Sequence, residues 1–131
     1  MVLQKFSRNE RLHHKIAIQK VFKEGEGFYS YPLRFLWRVS SAMEGEQVRV
    51  LVTVPARNFR KAVHRNFLKR RMREAYRKNK EKLASLVSQG AAPIDLVMIY
   101  TAKELCNYHE IERGVVAGIQ YLAGHLNIHT E

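Results

Sequence analysis

Residues 57–82 carry 12 Lys or Arg against two acids, Glu74 and Glu81. That net +10 is nearly all of the +11 carried by the 131-residue chain. No other stretch limits the fold so tightly. Unpaired cations in this number cannot enter a core, so the segment must run along the surface. Residues 65–77 contain neither Gly nor Pro and can form a helix. The rest of the chain then has to offer an apolar surface to one side of that helix.

A helix turns by about 100° per residue. With Arg65 at 0°, Lys80, Lys69, Arg73, Asn66, Arg77 and Arg70 fall between about 40° and 140°. Leu68, Met72, Ala75, Tyr76, Leu83 and Leu86 gather between about 280° and 20°. The spacing predicts a helix from about residue 60 to 80, running on toward 87, with one face on a sheet and an adjoining cationic strip. Arg65 stands on the border between them. Arg71 and Lys78 point to the far side, and Phe67 lies outside the apolar arc. Like charges three and four residues apart repel by about 0.2–0.5 kcal/mol per pair, and only Glu74 relieves them here. Such a strip calls for a polyanion, nucleic acid first among them. Arginine forks suit phosphate oxygens. Asn66 offers a donor and an acceptor to a 2′-hydroxyl or a base edge. Arg57, Arg60 and Lys61 extend the cationic surface ahead of the helix, and His64 is one more candidate contact.

The remaining sequence supplies the core. A hydrophobic share of 46% suits one domain over residues 1–131. Residues 1–8 read as a flexible basic tail without the apolar run of a secretory signal, and no segment is long and apolar enough to span a membrane. Asn9 is placed to cap a first helix reaching about Lys23, with Leu12, Ile16, Val21 and Phe22 as its apolar positions. Residues 33–39 alternate as a strand, and residues 48–54, rich in β-branched side chains, form another before Pro55. The two are placed to pair as an antiparallel hairpin across the polar turn 40–47. Residues 94–100 suit a central strand covered on both sides. Asn107 is placed to cap a last helix carrying Ile111, Val115, Ile119 and Leu122. The order is αββαβα, or αβββαβα with a short strand near residues 28–30. Cys106, the only cysteine, reads as a small packed side chain.

No catalytic constellation stands out. Asp95 is the only aspartate, and the glutamates are scattered, so no carboxylate cluster for a metal is evident. His13 and His14 point about 100° apart, and His125 and His129 lie near a helix end, so neither pair reads as a metal site. No glycine-rich phosphate loop is present. Chemistry, if this chain takes part in any, belongs to a partner.

The residues resemble a known family. Arg65-Asn66-x-x-Lys69-Arg70-x-x-Arg73-Glu74, preceded by Ala62-Val63, resembles the signature of the bacterial ribonuclease P protein subunit. Arg11-Leu12, Gln19-Lys20-Val21-Phe22-Lys23-x-Gly25 and Pro32-Leu33 also fit, in order and spacing, over about residues 8–125. The resemblance implies an α+β fold, a single-domain α/β sandwich of a ribosomal-protein-like type with a left-handed βαβ crossover through the basic helix. It implies a partner, a catalytic RNA that holds Mg2+ and removes the 5′ leader from precursor tRNA, and no organic cofactor. The lone cysteine suits a reducing, cytoplasmic compartment, and the sequence shows no metal-ligand pattern, no membrane segment and no evident obligate protein partner. Carried over by position, Arg65, Asn66, Lys69, Arg70 and Arg73 fall on the catalytic-RNA contact. Arg57, Arg60, Lys61 and Arg77 flank it. Ile18, Phe22 and Leu36 fall on a leader cleft between the first helix and the sheet. Ile18 stands where the family often has Phe, and Leu36 where it often has Tyr, with Tyr29 or Tyr31 as candidate substitutes. Two rivals share parts of this pattern: a non-catalytic RNA-binding protein of ribosomal type, and a peripheral membrane protein using a basic amphipathic helix.

Overall fold

Strand alternation sends Leu33, Phe35 and Trp37 to one side of a sheet and Arg34, Leu36 and Arg38 to the other. In the computed structural model, which describes residues 11–12, 15–40, 48–88 and 93–129, that division organises the molecule. The chain runs α1 (Lys15–Glu24), β1 (Glu26–Ser30), β2 (Leu33–Val39), β3 (Val48–Thr53), α2 (Ala62–Asn79), α3 (Glu81–Ser88), β4 (Ile94–Tyr100) and α4 (Tyr108–His129). The sheet order is β1-β2-β4-β3. β1 and β4 pair antiparallel with β2, and β3 pairs parallel with β4. This is a mixed α/β sandwich, with the short strand near residue 28 present as β1.

The two sheet faces are covered unequally. α2, α3 and α4 lie on one face. Leu33, Phe35, Trp37, Val48, Val50, Val52, Ile94, Leu96, Met98 and Tyr100 meet Leu68, Met72, Tyr76, Leu83, Ile111, Val115, Ile119 and Leu122 there in one core. α1 alone lies on the other, over a small cluster of Leu12, Val21, Leu36 and Val97 with Ala17, Ile18, Leu51 and Ile99 at its margin. Asp95 is fixed on that second face, where Arg49 donates from Nε to Oδ1 at 2.8 Å and from its terminal nitrogen to Oδ2 at 3.0 Å. The sole aspartate is therefore structural, its buried charge answered by a bidentate guanidinium.

Three expectations change. β2 and β3 do not form a hairpin, because β4 enters between them; an almost wholly apolar strand is best buried at the centre. The first helix begins at Lys15, not near Asn9. Arg11 and Leu12 are extended instead, Arg11 bridging to Val50 and the Leu12 amide donating to the Val50 carbonyl at 2.8 Å. Leu12 thus reaches its buried position from a sheet edge. The basic helix ends at Asn79, and α3 starts after Lys80. The start of α4 is as read: Asn107 Oδ1 accepts from the Glu110 amide at 2.9 Å, and Glu110 Oε1 accepts from the Asn107 amide at 3.3 Å. This is a reciprocal capping box. Asn9, His13, His14, the tail 1–8 and most of the turn 40–47 lie outside the described residues.

Candidate nucleic-acid interface

Burial of Leu68, Met72, Ala75 and Tyr76 fixes the rotation of α2 about its axis. The cationic strip then faces outward beside the β3 edge. Arg57, Arg60 and Lys61 are exposed before the helix, Asn66 and Arg70 are exposed on it, and Lys69 and Arg73 are half-buried. A cleft of about 420 Å³ is lined by Asn66, Arg70, Arg73, Glu74 and Arg77 together with Arg11 from the sheet edge. Burial, and then repulsion from Arg11, lower the pKa of Arg73. Both effects mark a place where an anion would relieve the protein.

Two of the expected contacts already have work within the protein. Arg65 donates to the carbonyls of Phe59 at 2.7 Å and Arg60 at 2.8 Å, which ties down the chain entering α2. Arg77 forks onto Glu74, with Nε to Oε2 at 3.0 Å and a terminal nitrogen to Oε1 at 2.7 Å. The hydrogen bond raises the pKa of Arg77 and lowers that of Glu74. Arg65 therefore shapes the surface, and Arg77 can meet a phosphate only by sharing or leaving Glu74. Arg71 is turned away, its guanidinium 4.0 Å from the centroid of the Phe67 ring.

Beside the cationic cleft lies a second one of about 480 Å³, lined by Val63, His64, Asn66, Phe67, Arg70 and Leu105. Asn66 and Arg70 form the wall between the two. Leu105 comes from the connection between β4 and α4. Tyr100, buried in the core, holds that connection by donating to the Glu104 carbonyl at 2.6 Å and accepting from the Cys106 amide at 2.9 Å. Burial pushes its phenol pKa up.

The expected leader-cleft residues separate. Phe22 is 50% exposed on α1, so it is not core. Ile18, one helical turn earlier, packs on the margin of the small cluster. Leu36 is buried in that cluster under α1 and offers no free surface, since the side chain pointing to this face meets Val21, Leu12 and Val97 first. Sequence reasoning named Tyr29 but missed the row it belongs to on this face: Tyr29, Arg34, Ile99 and Thr53 stand in register across β1, β2, β4 and β3. Tyr29 is 61% exposed and Arg34 is exposed, while Ile99 and Thr53 are half-buried. Tyr31 lies past the end of β1, its hydroxyl 3.7 Å from Cys106 Sγ. Of the two candidate substitutes, Tyr29 therefore stands on the α1 face.

Among the described residues no three His, Cys, Asp or Glu side chains come together as a metal site, and no helix is long and apolar enough to cross a membrane. His125 is 3.6 Å from Glu26 and packs its ring edge-on to Trp37.

The comparisons agree with this architecture. The family model described as Ribonuclease P matches residues 6–122. A ribonuclease P protein component of Porphyromonas gingivalis is 34% identical over 120 residues, covering 92% of this chain and 88% of the relative. One from Borreliella burgdorferi is 32% identical over 108 residues, covering 80% and 82%. Among solved structures, the ribonuclease P protein of Thermotoga maritima superposes with a TM-score of 0.67 at 24% identity over 86% of this chain and 96% of that one. That of Staphylococcus aureus gives 0.62 at 18% identity over 87% and 94%. These two speak to the fold, while the family match and the closer relatives speak to descent. A strip of arginines fixed on a rigid helix, on a chain matched from residue 6 to 122, places this protein in the ribonuclease P protein family.

Proposed function

We propose that this protein is the working subunit partner of a catalytic ribonuclease P RNA, which it holds by the α2 strip while contacting the 5′ leader of precursor tRNA through the α1 face of the sheet. The observation that carries the reading is the segregation of two unlike surfaces. One is a cationic cleft walled by Arg11, Asn66, Arg70 and Arg73. The other is a half-open row of Tyr29, Arg34, Ile99 and Thr53 on the sheet face that carries α1, the helix on which the Phe22 ring is exposed. A folded RNA presents ordered phosphates to the first, and a single strand presents bases that stack on aromatic side chains to the second. The scattered acids give no metal-dependent step to this chain. Hydrolysis and its Mg2+ are assigned to the RNA, in a cytoplasmic particle.

The test combines purified protein, a bacterial ribonuclease P RNA and a precursor tRNA at low Mg2+. The expected result is leader removal by RNA plus protein where neither alone is active. Affinity for the RNA should fall with salt at a log–log slope of about −4 to −5, the value for about six phosphates. Cleavage by rigorously RNA-free protein, or equal binding to any RNA of like length, would overturn the reading.

A further inference from the structure

The cleft beside the phosphate site is unlike the rest of the basic surface. Val63 is 72% exposed, Phe67 40% and Leu105 47%, and these three apolar side chains converge on it from α2 and from the connection before α4. Exposed apolar groups set inside a cationic field are not explained by solubility or by the core. Arg71 covers Phe67 but takes no part in lining the cleft, so it does not close it. The wall formed by Asn66 and Arg70 separates this apolar cleft from the cationic one. Anion-binding groups on one side of a shared wall and an aromatic ring on the other match the two ends of a nucleotide.

We infer that the Val63–Phe67–Leu105 cleft receives one unpaired base of the partner RNA, stacked against Phe67, while the adjoining phosphate is held by Arg70 on the cationic side. The occupant is a nucleotide rather than an apolar protein segment because the rim is cationic: His64 and Arg70 line the cleft itself, and exposed Arg60 and Lys61 precede the helix. The base must be unpaired, since only an unstacked base offers its face to a side chain. Asn66, on the shared wall, can meet its edge or its sugar hydroxyl. The Tyr100 hydrogen bonds to the 104–106 backbone hold Leu105 in place before the RNA arrives. This inference rests on the proposed partnership with ribonuclease P RNA.

The experiment titrates full-length protein against a bacterial ribonuclease P RNA over a series of salt concentrations. Parent, Phe67→Ala, Phe67→Trp and Arg70→Ala are compared. Phe67→Ala should weaken binding about five- to a hundredfold, as loss of a stacked base does, on a line parallel to the parent's. Arg70→Ala should instead flatten the slope by up to about 0.9, because it removes a phosphate contact. Phe67→Trp should restore affinity to the parent's or better. Phe67 is part-exposed, so circular dichroism melting should show all variants folded. Unchanged binding by Phe67→Ala, a flattened slope in that variant, or no rescue by Trp would each overturn the inference while leaving the partnership intact. Failure of the parent to bind this RNA selectively would overturn both. Equal weakening by Phe67→Ala for a protein ligand captured without RNA would assign the cleft to a protein segment and also overturn it.

Discussion

One sheet carries two faces built on different terms. On the α2, α3 and α4 side, Leu33, Phe35, Leu96, Met98 and Tyr100 are fully covered, and the helices reach across the whole width. On the α1 side, a ten-residue helix covers one row, and the row of Tyr29, Arg34, Ile99 and Thr53 stays partly open. The first face stabilises the fold and, on its outer surface, displays the cationic strip. The second gives up burial and keeps an open surface. The difference leaves two unlike exposed surfaces on one small domain, one on the outside of its covering helices and one on the sheet itself.

The largest expected difference lies in stability. Met98→Ala on the covered face should cost about 2–5 kcal/mol through lost burial and the cavity left behind. Phe22→Ala on the thin face should cost under about 1 kcal/mol, because half of that ring already meets water. Urea melts of the two variants check this, and a loss of several kcal/mol from Phe22→Ala would return that ring to the core. Two glycines sharpen the point. A Cβ on Gly118 would overlap the Phe35 ring, standing 2.8 Å from Cε2. That ring is stacked on Phe28 with centroids 4.9 Å apart and has little room to yield. Gly118→Ala should therefore cost about 1–3 kcal/mol. On the other face the nearest atom to a Cβ on Gly27 is the flexible end of Leu36, 2.9 Å away at Cδ2, with the Phe35 carbonyl oxygen at 3.4 Å, and the cost should stay under about 1 kcal/mol. Equal penalties for the two would mean that the thin face is packed as tightly as the thick one.

The same contrast decides what the sequence could tell. α2, β4 and the capped start of α4 were legible because each announces itself locally, through charge-segregated periodicity, an apolar run, and Asn107 ahead of a periodic apolar face. The four buried residues of α2 are among those its periodicity selects. The pairing of strands was not legible. Whether β3 meets β2 or β4 depends on which strand can afford the centre, and adjacency in sequence favoured the wrong answer. Arg11 and Leu12 looked helical because Leu12 fits a helical spacing, yet the Val50 carbonyl captures the Leu12 amide. On α2, Arg70 and Arg73 line one cleft, on the side of the helix that their spacing indicates, with Lys69 half-buried on the same helix. The engagement of Arg65 with two carbonyls and of Arg77 with Glu74 depends on rotamers that spacing does not reveal. Tyr29 was among the candidates, but choosing it over Tyr31, and seeing Arg34, Ile99 and Thr53 beside it, required the strand register.

Next in size is the leader dependence, which asks whether the open row binds a strand at all. Phe22→Ala and Tyr29→Ala should each weaken binding of precursor tRNA with a leader of several nucleotides by about 1–3 kcal/mol, roughly five- to a hundredfold. Neither should alter assembly with the RNA subunit or affinity for mature tRNA. Leu36→Ala should act differently. It opens the small cluster under α1, so stability should fall by about 2–5 kcal/mol with no separate dependence on leader length. Leader-length series measured with the holoenzyme distinguish these patterns, and a leader-specific loss from Leu36→Ala would show that α1 moves aside to expose it.

The smallest effect belongs to the other surface. Glu74 is the one acid in the cationic cleft, and its fork with Arg77 competes with any phosphate. The hydrogen bond from Arg77 lowers the Glu74 pKa below its ordinary value. A carboxyl depressed on folding stabilises the folded state above its unfolded pKa of about 4.3, and the contribution is lost as pH falls through the lower folded value. Both side chains are open to solvent, which screens the pair, so its contribution at neutral pH should be small. Glu74→Gln should lose that small contribution at pH 7, and the gap from the parent should close only as pH falls below the lowered folded pKa of Glu74, where the parent's own carboxyl is protonated. RNA binding should change in the opposite sense. With one negative charge gone from the cleft, affinity at low salt should rise a few-fold and the salt slope should steepen by up to about 0.9. A weaker complex from Glu74→Gln would mean that Glu74 aims Arg77 at its phosphate, making the pair a contact element of the strip rather than a brake upon it.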